Sequence, residues 1–357
     1  LAVAAPITQA VRYAAISRDT MSEIFVATST AAPSVRPAAA EVDPWAGTAR
    51  VSVLLIGSDA GADRIGIRTD SMMVASIDTN GGATVLVGVP RNIQNFDFPE
   101  DNPLSKVWPN GYNCGSECIL TNAWMEAVNH KDLFPGDPNP GLTTTRGLVS
   151  EILGISIDYT AVIDLRGFQD LVDAMGGVTI DIPKAVPIYG QGDVNPPISE
   201  WIKAGQNQHL DGYHALWYAR SRKYDDDFHR MKRQRCVVGA LVSEVDPVAM
   251  LSRYPAMARA IQKHVRVDIP LADLPAWATL VERIQKGGMR SLALTPENIS
   301  TVHPDLDSIH ALVGKALTPS RQPTPASTST STKKPAKTST ATPSANPTTA
   351  VDLDEAC

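Results

Sequence analysis

The chain has 357 residues, of which 43% are hydrophobic and 20% are charged, and its formal net charge is −6. This composition is typical of a globular protein with a sizeable core. A sequence pI near 5.7 argues against general nucleic-acid binding, so an anionic ligand would need a local basic patch.

Residues 1–48 read as a juxtamembrane segment and linker. The first residues are apolar but are interrupted by Arg12 and Arg18, so no run reaches the ~20 apolar residues that cross a bilayer. We therefore expect a removed N-terminal transmembrane anchor. Residues 27–48, rich in Ala, Pro and Thr, are predicted to be linker.

Three strands are predicted in the next part of the chain. "VSVLLIG" (51–57), "SMMVASI" (71–77) and "TVLVGVP" (84–90) are apolar runs rich in β-branched residues. "DTNGGA" separates the second from the third, and its Asn80-Gly81 pair predicts a tight hairpin turn with positive φ angles.

Helical and strand patterns then alternate. Helices are predicted over 118–130, 143–155 and 166–177, from Asp211 onward, and near 229–245, 246–263 and 271–287; strands are predicted over 159–165 and 178–183. This order predicts an α/β fold for residues 49–317, a three-layer α/β/α sandwich around a central mixed β-sheet. Residues 318–357, rich in Ser, Thr and Pro, are predicted to form a flexible tail.

The four cysteines are Cys114, Cys118, Cys236 and Cys357. Their even number favours an oxidising compartment and two disulfides, with three possible pairings. Cys114 and Cys118 can close a local loop, leaving Cys236 for Cys357 and ordering the C-terminus. A zinc site formed by Cys114, Cys118 and His130 is the alternative, although no second ligand pair has the usual spacing.

Charged residues stand at the ends of the three predicted strands: Asp59 after the first, Arg68 and Asp70 around the start of the second, and Arg91 after the third. In an α/β sheet, ligands bind where strands give way to loops. Two carboxylates suit Mg²⁺ (or Mn²⁺), and two guanidinium groups suit the phosphates that Mg²⁺ bridges. Surface loops with incidental ion pairs are the alternative.

The segment "YARSRKYDDDFHRMKRQR" (218–235) concentrates seven Lys or Arg in an acidic chain. Arg220 and Arg222 would share a ligand if this part is extended, because alternate side chains then face one way. Arg230 and Gln234 lie on one helix face at i, i+4 spacing. Asp227 is predicted to cap that helix or to orient Arg230.

The same helix face continues to Val237 and Leu241. A ligand with a pyrophosphate head and a hydrocarbon tail would match a surface that is cationic first and aliphatic beyond. An ordinary amphipathic helix is the alternative. Cations at a helix N-terminus oppose the macrodipole, however, so these side chains are not placed there to stabilise the helix.

In order along residues 50–250, the chain carries "LLIGSD", "GIRTDSMMVASID", "VLVGVPRN", "LTNAW", "LGISIDYTAVIDLRGFQDLVDAMGGVTIDIP", "LDGYHALWYARSR" and "DFHRMKRQR". This set resembles the LytR-CpsA-Psr family of cell-wall glycopolymer ligases, in an actinobacterial-type member. The resemblance implies an extracytoplasmic, membrane-anchored enzyme of mainly Gram-positive bacteria. Such an enzyme moves a glycopolymer from a polyprenyl-pyrophosphate carrier, through a phosphodiester, to a peptidoglycan sugar or a surface-protein glycan.

The resemblance also implies Mg²⁺ or Mn²⁺, a hydrophobic lipid-binding tunnel and pyrophosphatase side activity. The family's metal and pyrophosphate positions match, in this sequence, Asp59, Asp70, Arg68, Arg91, Arg220, Arg222, Arg230 and Gln234. The family's usual "PRD" is "PRN" here, with Asn92, which can orient a neighbour but cannot act as a base. Asp70 and Asp227 are the remaining general-base candidates. A polyprenyl-pyrophosphate phosphohydrolase and a non-catalytic glycolipid-binding surface protein are alternative functions.

Overall fold

The computed structural model describes residues 37, 43–59, 68–189, 197–246, 263–270, 273–318 and 349–357. Its strands are β1 (Arg50–Ser58), β2 (Thr69–Asp78), β3 (Thr84–Val89), β4 (Tyr159–Asp164), β5 (Val178–Ile182), β6 (Val186–Tyr189), β7 (Ile198–Ile202), β8 (Gly205–Leu210), β9 (Val265–Val267), β10 (Met289–Ala293) and β11 (Val351–Asp352). Seven of them form one sheet in the order β11-β10-β3-β2-β1-β4-β9. The β1–β4 and β3–β10 pairs are parallel and the other neighbours antiparallel, so the predicted mixed sheet is confirmed.

The α-helices are α1 (Ala123–Asn129), α2 (Pro140–Leu153), α3 (Leu165–Met175), α4 (Gly212–Arg220), α5 (Asp227–Glu244), α6 (Leu274–Gly287), α7 (Leu306–Leu317) and α8 (Leu353–Ala356). Most lie where the sequence predicts them. The helix predicted over 118–130 begins only at Ala123, because the preceding residues form 3-10 turns. The predicted helix over 246–263 falls almost entirely outside the described residues.

Helices cover both faces of the sheet. Leu54 and Ile56 of β1 belong to a core that includes α1, α2 and α7. Val51 and Val53, which point to the opposite face because side chains alternate along a strand, pack with α6. The predicted three-layer sandwich is therefore confirmed. A further core joins α3, α4 and α5 to two small sheets, β5–β8 and β6–β7.

The predicted hairpin between β2 and β3 is present, but its turn differs from the prediction. The positive φ, 77°, belongs to Gly82 and not to Asn80 or Gly81. The loop is longer than a two-residue turn, and the Asp78 carboxylate closes it by accepting hydrogen bonds from the backbone N–H groups of Asn80 and Gly81. A side-chain acceptor thus replaces the expected turn geometry.

Both ends of the predicted domain extend further than the sequence suggests. Trp45, within the predicted linker, is fully buried, and its indole N–H donates to the carbonyl of Ala276 over 2.9 Å. Within the predicted tail, β11 adds a strand to the sheet edge, and Leu353 is buried against Gly239 of α5. The rest of the tail, 319–348, lies outside the described residues.

Two disulfides join Cys114 to Cys118 and Cys236 to Cys357, as predicted. The alternative zinc site with His130 is wrong, because both of its sulfur ligands are bonded to each other. The second bridge links α5 to the end of the chain. Within the described residues, each helix is too short or too polar to span a lipid bilayer.

Candidate active site

A cavity of about 230 Å³ lies where β1 ends and β2 begins, covered by α3, α4 and α5. Its polar lining comes from Ser58, Asp59, Asp70, Ser71, Asp164, Arg220, Arg222, Arg230 and Gln234. Its apolar lining comes from Leu55, Ile56, Met73, Ile163, Leu165, Phe168, Leu216, Ala219, Val237 and Val238. Charged groups and aliphatic side chains therefore share one enclosed space.

The acidic pair of this cavity is Asp59 and Asp70, brought together because β1 and β2 are antiparallel neighbours. Asp59 is 6% exposed, and its Oδ1 accepts a hydrogen bond from the backbone N–H of Arg68 over 3.1 Å. Asp70 Oδ1 accepts from Nη1 of Arg91 over 2.6 Å. Strand pairing thus brings both carboxylates to one cavity.

Asp227 connects three arginines. Its Oδ2 lies 3.0 Å from Nη2 of Arg230 and 3.6 Å from Nε of Arg91, and its Oδ1 lies 3.6 Å from Nη1 of Arg222. Asp226, not Asp227, is the N-cap of α5, since its carboxylate accepts from the backbone N–H of His229. The capping role predicted for Asp227 is therefore wrong, and its alternative role, orienting Arg230, agrees with the structure.

Arg230 is the most deeply buried cation of this group, with 6% of its side chain exposed. Burial is the largest cause of its pKa lying below the usual value, because removal from water disfavours the charged form; Asp227 acts in the opposite direction. Its Nε has no hydrogen-bond partner among the described residues.

Arg220 and Arg222 reach the cavity from the end of α4. The helix ends at Arg220, and Ser221 follows with φ −59° and ψ 135°, an extended conformation. The predicted extended "ARSR" is thus correct from Ser221 onward, and both guanidinium groups line the same space. Arg220 also lies over the ring of Trp217, 4.9 Å from its centroid, which limits its freedom.

Gln234 lies one turn beyond Arg230 on the same helix face. Its Oε1 accepts from Ser71 Oγ over 2.9 Å, and its Nε2 donates to the carbonyl of Ala219 over 3.2 Å. The amide therefore ties α5 to β2 and to α4. Ser71, directly after Asp70, was not identified from the sequence, although its place at a strand tip was a usable signal.

Arg233 and Asp225 were also missed. The buried Arg233 donates from Nε to the carbonyl of Tyr218 over 2.8 Å, from Nη2 to the carbonyl of Ser221, and from Nη1 to Asp225 over 2.5 Å. These bonds fasten the segment that carries Arg220 and Arg222. Only the unfavourable place of cations at the start of α5 hinted at such a role.

Two other predicted positions behave differently. The Arg68 side chain is exposed and does not line the cavity, although its backbone contacts Asp59. Asn92 stands where the family pattern has Asp, yet Arg91 is held by Asp70 and Asp227 instead. The replacement at position 92 therefore leaves the orientation of Arg91 in place.

The donor set fits a hard divalent cation. Asp59 and Asp70 line one cavity, and Oδ2 of Asp70 has no hydrogen bond to any described residue. Mg²⁺ is commonly held by one or two carboxylates together with phosphate oxygens and water. These two residues would hold it.

Comparison with known proteins agrees with this fold. TagU of Bacillus mycoides, named a polyisoprenyl-teichoic acid–peptidoglycan teichoic acid transferase, is 28% identical over 221 residues, covering 61% of this chain and 60% of that protein. TagV of Bacillus subtilis, with the same activity name, is 24% identical over 251 residues, and the match covers 68% of this chain and 57% of that protein. The chain thus spans about three fifths of the length of these relatives.

Two solved structures share the fold. The structure of Bacillus subtilis TagV has a TM-score of 0.50 and 23% identity, covering 74% of this chain and 95% of that one. The structure of a Streptococcus agalactiae protein has a TM-score of 0.50 and 21% sequence identity, and the match covers 71% of this chain and 80% of that one. The model of the LytR_cpsA_psr family matches residues 17–312, most of the chain. The chain therefore belongs to the LytR-CpsA-Psr family.

Proposed function

We propose that this protein is a phosphotransferase that moves a glycopolymer from a polyprenyl-pyrophosphate carrier to a cell-wall acceptor through a phosphodiester. One observation carries the proposal: Arg220, Arg222 and Arg230 share with Asp59 and Asp70 a cavity that also has an apolar wall. A diphosphate head and a hydrocarbon tail need these two environments side by side. The activity names of TagU and TagV support the same chemistry.

The arginines bind the pyrophosphate and stabilise negative charge that moves onto the leaving polyprenyl phosphate. Arg230 lines the cavity and is largely removed from water, so its attraction for an anion there is little screened. Asp227 contacts Arg91, Arg222 and Arg230 and so holds these three side chains together. Catalysis of this type depends mostly on positioning and electrostatics.

Mg²⁺ or Mn²⁺, held by Asp59 and Asp70, would neutralise phosphate charge. The acceptor hydroxyl attacks the sugar-linked phosphorus, the bond to the bridging oxygen breaks, and polyprenyl phosphate leaves with that oxygen. The hydroxyl proton passes to water or to the leaving phosphate. Because Asp70 and Asp227 are both engaged by guanidinium groups, we assign them to orientation and not to proton abstraction. Water in place of the acceptor would produce pyrophosphatase side activity.

The acceptor that we favour is a sugar hydroxyl of peptidoglycan, with a surface-protein glycan as the alternative. The two disulfides support an extracytoplasmic location, where thiols oxidise. A membrane anchor preceding this sequence stays a prediction.

Turnover of a synthetic polyprenyl-pyrophosphate glycan by wild type, Arg220→Ala and Arg222→Ala tests the proposal. Each substitution should lower kcat by ~10²–10³-fold, as loss of one oxyanion donor does. Wild-type rates in both variants would refute the assignment. With a peptidoglycan acceptor present, release of glycan phosphate and polyprenyl phosphate without glycan transfer would instead indicate the phosphohydrolase. Metal-independent lipid binding without turnover would indicate a glycolipid-binding protein.

A further inference from the structure

A second groove, of about 510 Å³, lies beside the candidate active site and has no role in the chemistry above. It runs between β6, β7 and the start of α5, and its exposed aromatic side chains are Trp201 and Tyr224. It shares no lining residue with the cavity that holds Asp59 and Asp70. A ligand confined to the cavity therefore does not contact the residues of this groove.

Trp201 and Tyr224 form an exposed aromatic pair. Among the described Trp, Tyr and Phe side chains, they are two of three that are classed as exposed, at 46% and 69%. Their ring planes are within 6° of parallel, with centroids 6.5 Å apart. Apolar ring faces held in water in this way are typical of a binding surface.

The backbone of Tyr224 is unusual. Asp225 N–H donates to the carbonyl of Arg222, which closes a turn, and Tyr224, in its third position, has a φ of 66°. That position normally favours Gly or Asn, and a Tyr there is strained. In the part of the chain that the structure describes, the two other non-glycine residues with positive φ are both Asn. The sequence thus keeps an exposed ring at a position where glycine would cost less.

The same turn carries active-site residues at both of its ends. Arg222, one residue before the groove-lining Lys223, lines the cavity, and Asp227, just beyond, orients it. Arg233 fastens the turn by its bonds to Ser221 and Asp225. A molecule stacked on Tyr224 therefore lies two residues along the chain from Arg222, which lines the cavity.

We infer that this groove binds the sugar chain of the acceptor, with pyranose rings against Trp201 and Tyr224. The C–H face of a pyranose is apolar and slightly positive, which matches the negative face of an aromatic ring. Lys184 and Lys232, both exposed on the groove wall, supply donors for sugar hydroxyl and carboxylate oxygens. The inference rests on the proposed function, since it places that reaction's second substrate.

The test is titration of the intact protein with soluble, uncrosslinked strands of alternating N-acetylglucosamine and N-acetylmuramic acid, measured by calorimetry without lipid substrate. Trp201→Ala and Tyr224→Gly should each weaken strand binding about tenfold, the usual effect of losing one aromatic contact of a binding site. Tyr224→Phe, which keeps the ring, should bind as wild type does. Tyr224→Gly should fold at least as well as wild type, because glycine favours this φ.

Two controls separate this inference from the proposed function. Tyr213→Ala removes the third exposed aromatic side chain, which lies outside the groove, and should leave strand affinity unchanged. Arg220→Ala should lose turnover of the lipid pyrophosphate and keep strand affinity. Wild-type strand affinity in Trp201→Ala and Tyr224→Gly, or no strand binding by wild type, would overturn the inference while the Arg220 result still judges the proposed function.

Discussion

Asp227 and Arg230 lie one helical turn apart on α5, with 3.0 Å between Oδ2 and Nη2. Replacing Asp227 with Asn would leave the buried guanidinium without its carboxylate. Because Asp227 is about one quarter exposed, we expect a loss near 2 kcal/mol in the free energy of unfolding, below the cost of breaking a fully buried pair. Denaturant unfolding measures it.

The neighbouring Asp226→Asn is the matched control. Asp226 caps α5, and Asn caps a helix nearly as well as Asp, so its effect should stay within about 0.5 kcal/mol. Equal losses in the two variants would contradict the special role of Asp227.

Arg233 offers a test of positioning. Arg233→Lys retains the charge but cannot serve the carbonyls of Tyr218 and Ser221 together with Asp225. We expect kcat on the lipid pyrophosphate to fall by ~10-fold or more with KM less affected, since misplaced catalytic groups lower rate steeply. Lys203→Arg, at an exposed position outside both the cavity and the groove, is the control. An unchanged kcat in Arg233→Lys would remove Arg233 from the positioning network.

Metal binding can be examined without turnover. If Asp59 and Asp70 hold Mg²⁺, then Mg²⁺ should raise the Tm of the wild type in proportion to ln(1 + [Mg²⁺]/Kd). Asp59→Asn and Asp70→Asn should abolish this rise. Asp164→Asn, which changes a different acid of the same cavity, should retain it. If the Mg²⁺-induced rise in Tm survives in Asp59→Asn, the ion is held by other residues.

The Cys236–Cys357 bridge closes a loop of 121 residues, whereas Cys114–Cys118 spans a separation of only 4. On the loop-entropy model the long bridge contributes about 5 kcal/mol and the short one about 2. The double variant Cys236→Ser/Cys357→Ser should therefore have a lower Tm than the double variant Cys114→Ser/Cys118→Ser. The loss should be accompanied by faster backbone exchange at β11, which the bridge holds on the sheet.

Arg235 is buried and hydrogen-bonds to Ser291, and no described carboxylate pairs with it. Burial lowers its pKa to about 10, so below pH 10 the folded state carries an uncompensated charge. Arg235→Met should raise the free energy of unfolding by about 1–3 kcal/mol at pH 7. The difference should shrink as pH rises through about 10, where the folded-state cation loses its proton. If Arg235→Met instead lowers the free energy of unfolding at pH 7, the charge of the guanidinium is compensated in the folded state.

The local patterns were strong enough to predict much of the fold. The continuous apolar runs of β1 and β3 predicted buried strands, because both faces of those strands are covered. Among the charges predicted from strand tips and from 218–235, those that line the cavity are Asp59, Asp70, Arg220, Arg222 and Arg230. Arg91 instead contacts Asp70 and Asp227, and the exposed Arg68 lies outside the cavity. The polar strands β7 and β8, with mostly exposed side chains, carried no such signal.

By itself, the sequence determined which segments become strands and helices, and which chemistry is available, because periodicity and residue type act over a few neighbours. Only the tertiary structure decided which charges meet. Asp70 and Asp227 are far apart in the chain, and both reach Arg91 only after β2, β3 and α5 pack together. The same packing gave Asp227 an orienting role and gave the capping role to Asp226. The two roles differ because successive residues at a helix start point about 100° apart.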